Sequence, residues 1–347
     1  MSIQVALDNI FLRPCTHWGH TEYSLEYHTP LMEKNTGLKA DDPELRPRAY
    51  EAFGIDFLWT TNDGPIDWGE RGRVTDMGHA AYAADGSDQH NSRPCPFQTE
   101  QEVWAFDAVQ EYGLPDFDAL VRYYEQWYRD NQSLCPAQLV TGGYYKSIVS
   151  GAIQVFGWDM LLIAASDPVK MEKVFDSFYR RTLHHMKAWA KTSVPVVIQH
   201  DDFVWTAGAF MKPDIYREVI IPRYAEMWKP LHAAGKKVLF CSDGNFMEFA
   251  RDIVEAGADG LIFEPVNDFN WMADHFGKTT CLIGSHVDCR DLTFDKWDKV
   301  RIGIDRTLER LADCKGALLA VGNHLPPNIP MEMMEKYFEY LLPRLKR

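Results

Sequence analysis

The chain has 347 residues, 46% of them hydrophobic and 25% charged, a balance that excludes a disordered or fibrous protein. At this length folding buries about three quarters of the unfolded surface, enough for a deep core and an enclosed site. The 36 basic and 50 acidic side chains leave a formal charge of −14, which disfavours nucleic acid and anionic membranes as partners.

In chain order, residues 1–50 read as an N-terminal extension, followed by a first strand at 54–60 and an elaboration at 64–99. Further strands are predicted at 102–109, 137–143, 195–201, 236–242, 259–264, 279–285 and 316–321. Most are continuously apolar rather than alternating, as parallel strands covered by helices must be. Helical patterns fill the gaps. Asp167-Pro168 supplies an N-cap and a first-turn proline ahead of an apolar stripe through Met171, Val174, Phe175 and Phe178. Residues 246–256 form a second helix ended by Gly257, and 295–311 a third. Strands alternating with helices to a total of eight predict an α/β fold, a (β/α)8 barrel forming one domain over 1–347. A doubly wound sheet is the rival, but no GxGxxG phosphate turn occurs.

No run approaches the ~20 apolar residues of a membrane span. Met1-Ser2-Ile3-Gln4 has no basic region leading into an apolar stretch, so no signal peptide is expected. The seven cysteines lack a CxxC pair, which predicts free thiols and a cytoplasmic location.

A barrel does its chemistry at the C-terminal ends of its strands. Those ends carry reactive groups: Thr61-Asn62-Asp63, His200-Asp201-Asp202, Cys241-Ser242-Asp243-Gly244-Asn245, Glu264-Pro265, Ser285-His286-Val287-Asp288 and Asn323-His324. Carboxylates, imidazoles and a thiol converging on one mouth suggest a metal site or an acid–base site. Burying Glu264 unpaired would be costly, which favours a functional role for it. Asp243 suits either a turn cap or a ligand, and Cys241 either an inert thiol or a ligand. Tryptophans in connecting segments (Trp18, Trp59, Trp68, Trp205 and Trp271), with Met77 and Met211, suggest an aromatic-lined cavity.

The run His200-Asp201-Asp202, then Gly208-Ala209-Phe210-Met211-Lys212-Pro213 and Pro222-Arg223-Tyr224, resembles the uroporphyrinogen decarboxylase superfamily. The later CSDGN, IFEP, IGSHVD and AVGNHLPP segments extend the resemblance to the C-terminus. It implies a (β/α)8 barrel and one of two activities, porphyrinogen decarboxylation or zinc-dependent methyl transfer involving corrinoid proteins. The decarboxylases grip substrate carboxylates with an arginine-rich N-terminal segment; the corresponding stretch here holds only Arg13. The coenzyme M methyltransferases bind zinc through His-x-Cys and a later cysteine, where this chain has Cys241 and Asp243 and no later match.

The chain is most similar to the phenyl methyl ether O-demethylases, whose zinc pattern is Glu, Glu, His. Glu248, Glu264 and His286, separated by 15 and 21 residues, fall within one residue of that spacing at both gaps. The resemblance thus implies zinc on Glu248, Glu264 and His286, with Cys241 near it, and Asp243 or Cys241 as replacement should Glu248 face solvent. It implies catalytic roles for His324 and Asp202, and substrate contacts from His200, Trp205, Asp288 and Asn323. The methyl group of an aryl methyl ether would pass to the cob(I)alamin of a corrinoid partner protein.

Overall fold

The structure, a computed structural model, describes residues 2–76, 81–82, 88–89, 93–322 and 324–347. Apolar runs rich in Val, Ile and Leu form parallel strands: β1 (Gly19–His20), β2 (Phe57–Leu58), β3 (Leu139–Val140 continuing as Gly142–Tyr144), β4 (Val196–His200), β5 (Lys237–Ser242), β6 (Gly260–Phe263), β7 (Cys281–Ile283) and β8 (Ala317–Leu319). Each of β3 to β7 pairs with the next, β8 pairs back to β1, and β2 pairs with β3. The ring closes between β1 and β2, where Asp56 N–H donates to His20 C=O at 2.9 Å and the Thr21 hydroxyl donates to Phe57 C=O at 2.6 Å. The sheet is therefore an eight-stranded barrel, with helices on its outside.

Strand alternation divides the core in two. Phe57, Leu139, Val196, Ile198, Leu239, Cys241, Ile262, Cys281, Ile283 and Leu318 fill the barrel interior, while intervening residues such as Val197, Phe240 and Leu261 face the helical layer. Helix α1 (Ile3–Ile10) closes the bottom by burying Ala6 and Ile10 against the interior cluster. Among the outer helices, α2 (Ile148–Ala164), α3 (Pro168–Ala190), α4 (Ile221–Ala233) and α5 (Trp297–Leu311) matter most for the site. The Asp167 carboxylate caps α3 by accepting from Lys170 N–H, and Gly257 ends the helix Ala250–Ala256 at φ +119°. All seven cysteines are free. Among the described residues no helix is long and apolar enough to cross a membrane.

Two strand assignments change. Residues 102–109 are helical, as Glu100–Trp104 and Ala108–Tyr112, because Thr99 and Asp107 accept from following amides and start a helix at each point. Their apolar residues Val103, Phe106 and Ala108 pack into the outer layer. The missing strand is β1, inside the segment read as an N-terminal extension. It is two residues long, Gly and His, and carries no apolar run that sequence patterning could detect. Within the elaboration at 64–99, Ala81–Tyr82 pairs antiparallel with Asp88–Gln89. Met77 lies outside the described residues.

Asp56, wholly buried at the β1–β2 seam, accepts from Ser2 N–H at 2.7 Å and His20 N–H at 3.2 Å. Burial pushes its carboxyl up to about 6, against the hydrogen bonds that favour ionisation. Since this lies above the ordinary 3.8, the stability it contributes is complete below about pH 4 and is lost as pH rises through about 6. Asp56→Asn is expected to remove about 3 kcal/mol from the fall in stability across that window. Urea unfolding at a series of pH values checks this, and a slope equal to the parent's would refute it.

Candidate metal centre at the barrel mouth

The side chains that turn inward just above the barrel core come from neighbouring strand ends. Ile198 and Leu239 face the interior, so the period of two places His200 and Asp202 on the inner face after β4, and Cys241 and Asp243 on the inner face after β5. His200 and Cys241 are register partners. One ligand atom each from His200, Asp202 and Asp243 lies within 4.8 Å of the others, a spacing that can hold a metal ion. His200 Nε2 is 3.0 Å from Asp202 Oδ1, which also accepts from Asp243 N–H at 2.9 Å. Asp202 Oδ2 accepts from the Tyr145 hydroxyl at 2.9 Å, and the Tyr145 ring stands edge-on to His200.

Burial works against an imidazolium at His200, but the Asp202 carboxylate and its hydrogen bond hold the group above the ordinary histidine range. Burial pushes the Cys241 thiol up, so the sulfur is neutral and the Asp202 charge sustains the imidazolium. Burial would raise Asp202, yet the His200 charge and the hydrogen bonds from His200, Asp243 N–H and Tyr145 bring it down to about 2. A cation must therefore displace a proton from His200, and uptake weakens as pH falls.

The intervening residue, Asp201, points the other way. Its carboxylate accepts from Val149 N–H (3.0 Å), Ser150 N–H (2.6 Å) and the Tyr224 hydroxyl (2.7 Å), fastening the end of β4 to the start of α2 and to α4. Ser150 Oγ in turn accepts from Asp202 N–H at 2.7 Å. On the β5 side, Gly244 N–H donates to Glu264 Oε2 at 2.6 Å, and Asn267 bridges Gly244 C=O and Phe246 N–H. Gly244 has φ +81°, and a Cβ there would lie 2.8 Å from the Trp205 backbone and from Val204 C=O. Gly244→Ala is expected to shift the Trp205 loop and the Glu264 contact together, at a cost of about 2 kcal/mol or more in stability. Thermal unfolding with metal analysis tests it; an alanine variant with parent stability and metal content would contradict it.

The other residues singled out from sequence divide clearly. Glu264 stands at the rim on β6, beside Asp243 through the Gly244 contact. Glu248 faces outward, 47% exposed and 3.5 Å from Arg217, so Asp243 takes its place in the cluster. His286 turns into the helical layer: its backbone N–H and Nδ1 both meet Thr307 Oγ1 of α5 at 2.9 Å, and its ring lies against Phe269. The cause is the pleat: Cys281 and Ile283 face the interior, so the period of two turns His286 to the outer face. Asp288 caps the helix Cys289–Thr293 and pairs with Arg290 at 2.7 Å. His324 is buried just beyond β8, and Asn323 lies outside the described residues.

Of the connecting tryptophans, Trp59 stacks on Tyr23 at 5.0 Å, and both line a cavity of about 110 Å³ with Leu58, Val140 and Arg46. Trp205 joins Trp158 and Phe210 in an aromatic group on the loop after β4. Trp18, Trp68 and Met211 are buried in the outer layers, and Trp271 stacks on His275. Tyr145 was not among the sequence-derived candidates. The available signal was its position directly after the third strand, at a strand end where no candidate had been named.

A family model described as uroporphyrinogen decarboxylase (URO-D) matches residues 156–341, more than half of the chain. The chain belongs to the uroporphyrinogen decarboxylase family. Among solved structures it is similar to a methyltransferase from Methanosarcina mazei, 16% identical over 98% of both chains with a TM-score of 0.65. A D-psicose 3-epimerase with D-tagatose from Clostridium cellulolyticum H10 is 11% identical over 65% of this chain and 85% of that one, with a TM-score of 0.39. No match was found among curated proteins. The family and the first of these structures agree with the barrel.

Proposed function

We propose that this family member is a metal-dependent methyltransferase that demethylates small methoxylated aromatic compounds and passes the methyl group to the cob(I)alamin of a corrinoid protein. The observation that carries the reading is the convergence of His200, Asp202 and Asp243 on one point of the mouth. One imidazole nitrogen and two carboxylates are a donor set that suits zinc, and Cys241 lies beside them as a thiol that a bound metal would deprotonate. When bound, the metal would supply charge stabilisation at the ether oxygen as the bond to methyl breaks.

The chain's own residues do the rest. Tyr145 fixes one oxygen of Asp202 and Asp243 N–H the other, which sets the direction in which that carboxylate can ligate. Burial and the neighbouring Asp202 hold Tyr145 well above the ordinary tyrosine range, so it stays a hydroxyl that can donate. The Tyr23–Trp59 stack gives a flat ring an apolar wall. The methyl protein from M. mazei supports methyl transfer within the same fold.

Aryl ethers are favoured over alkyl ethers by the leaving group. A phenolate is about five or six pKa units more stable than an alkoxide, on the order of 7 kcal/mol of driving force. The test is metal analysis of purified protein, then anaerobic incubation with a reduced corrinoid protein and a panel of methoxyarenes, following methylcobalamin absorbance. About one zinc per chain and transfer from methoxyarenes but not from methanol are expected. Metal-free active protein, or equal rates from methanol, would overturn the reading. A tetrapyrrole decarboxylase finds less support: Arg13 sits beside α1, paired with Asp8 at 3.8 Å, at the opposite end of the barrel from the cluster.

A further inference from the structure

Behind the barrel wall, where the end of β3 meets α3, lies a group of buried polar side chains that the mouth does not use. Arg181 is completely buried, and its described contacts include one hydrogen bond, from Nη1 to Gly113 C=O. Its Nε and Nη2 have no partner, and no carboxylate among the described residues pairs with it within 4.0 Å. These two atoms form the edge of a guanidinium that grips a carboxylate or phosphate in bidentate fashion. The Trp68 indole N–H and His185 Nε2 are likewise buried without partners, and the Tyr144 hydroxyl is buried beside the Arg181 guanidinium. They lie close together: the Arg181 guanidinium is 5.4 Å from the Trp68 ring centre, Lys146 Nζ is 5.0 Å from the same ring, and Tyr144 stacks on His185 at 4.4 Å.

Leaving a guanidinium and several donors unpaired in a low-dielectric interior costs several kcal/mol. The nearby carboxylates each have one oxygen engaged by backbone amides, and none forms an ion pair with Arg181. Asp63 accepts from Tyr145 and Lys146 N–H, Asp67 from Gly69 N–H, and Asp76 from Arg93 N–H. Lys146 and Trp68 also line an open groove of about 850 Å³, which borders this group on its solvent side.

We propose that this pocket is an oxyanion site, binding a carboxylate or phosphate group on the Arg181 edge with Lys146, Tyr144 and Trp68 as further donors. It stands apart from the methyltransferase reading and does not depend on it. Lys146 directly follows Tyr145, so an occupant would also steady the strand end that orients Asp202.

Thermal unfolding of the purified protein titrated with sodium acetate, with sodium phosphate, and with sodium chloride at matched ionic strength tests the site. Acetate or phosphate, whichever source of the anion fits, is expected to raise the melting temperature saturably and beyond chloride. Lys146→Met is expected to raise the half-saturating concentration about tenfold. Arg181→Met is expected to abolish the response while melting no lower than the parent in chloride, since a buried unpaired charge is gone. Asp243→Asn, which alters the mouth alone, is expected to keep the response. No saturable rise beyond chloride, or an unchanged response in Lys146→Met, overturns the proposal even if Arg181→Met fails to fold.

Discussion

Alanine at His200 is expected to strip the protein of metal and lower methyl transfer by at least about 100-fold while leaving the fold intact. His200 supplies the one nitrogen within ligand distance of two carboxylates. Without it Asp202 and Asp243 keep their places, since Tyr145 and the β5 backbone still hold Asp202, but two like charges would remain with a poorer donor set. The side chain is only 15% exposed but lies above the packed interior, so circular dichroism should barely change and the melting temperature should fall modestly. The decisive contrast is with two residues that spacing alone would favour. Glu248→Ala and His286→Ala should retain metal, as one side chain faces Arg217 at the surface and the other faces Thr307 in the helical layer. Metal lost from either of those variants but kept in His200→Ala would reverse the assignment.

Asp201→Ala is expected to destabilise the protein by about 3–5 kcal/mol, the largest effect of any single substitution considered. The carboxylate satisfies two amide N–H groups at the start of α2 and the buried Tyr224 hydroxyl. Truncation leaves all three in a dry interior, at about 1–3 kcal/mol each less whatever water can recover. Asp201→Asn retains one acceptor and should cost less than half as much. Urea denaturation at neutral pH measures both. A loss below about 1 kcal/mol for the alanine variant would show that α2 is held by packing alone. A secondary drop in metal affinity should accompany the destabilisation, because Asp202 hangs from Ser150 at the same helix start.

These two neighbours show where sequence reading succeeds and where it stops. The run His200-Asp201-Asp202 marks a strand end rich in functional groups, but its three residues do different things. Pleat alternation sends His200 and Asp202 inward and Asp201 into the wall, and only knowledge of which face is inside assigns them. Tyr145 contributes through a contact across 57 positions of chain, which no local pattern encodes.

The barrel itself was legible because parallel strands buried on both faces must be continuously apolar, and seven of the eight strands announce themselves that way. The eighth, Gly19–His20, is held by its neighbours β8 and β2 rather than by its own composition. Residues 102–109 show the converse, an apolar run drawn into helices by the caps Thr99 and Asp107. The ligand set was decided in space. Glu248, Glu264 and His286 satisfy a linear spacing, yet strand pleat turns His286 outward and Glu248 lies at the surface, while strand register brings His200, Asp202 and Asp243 together. Sequence by itself determined the α/β barrel class, the strand ends that carry the chemistry and the residue types available there. Only the tertiary structure decided which of those side chains meet, because a closed barrel fixes distances between strand ends by register and pleat, quantities that residue spacing along the chain does not contain.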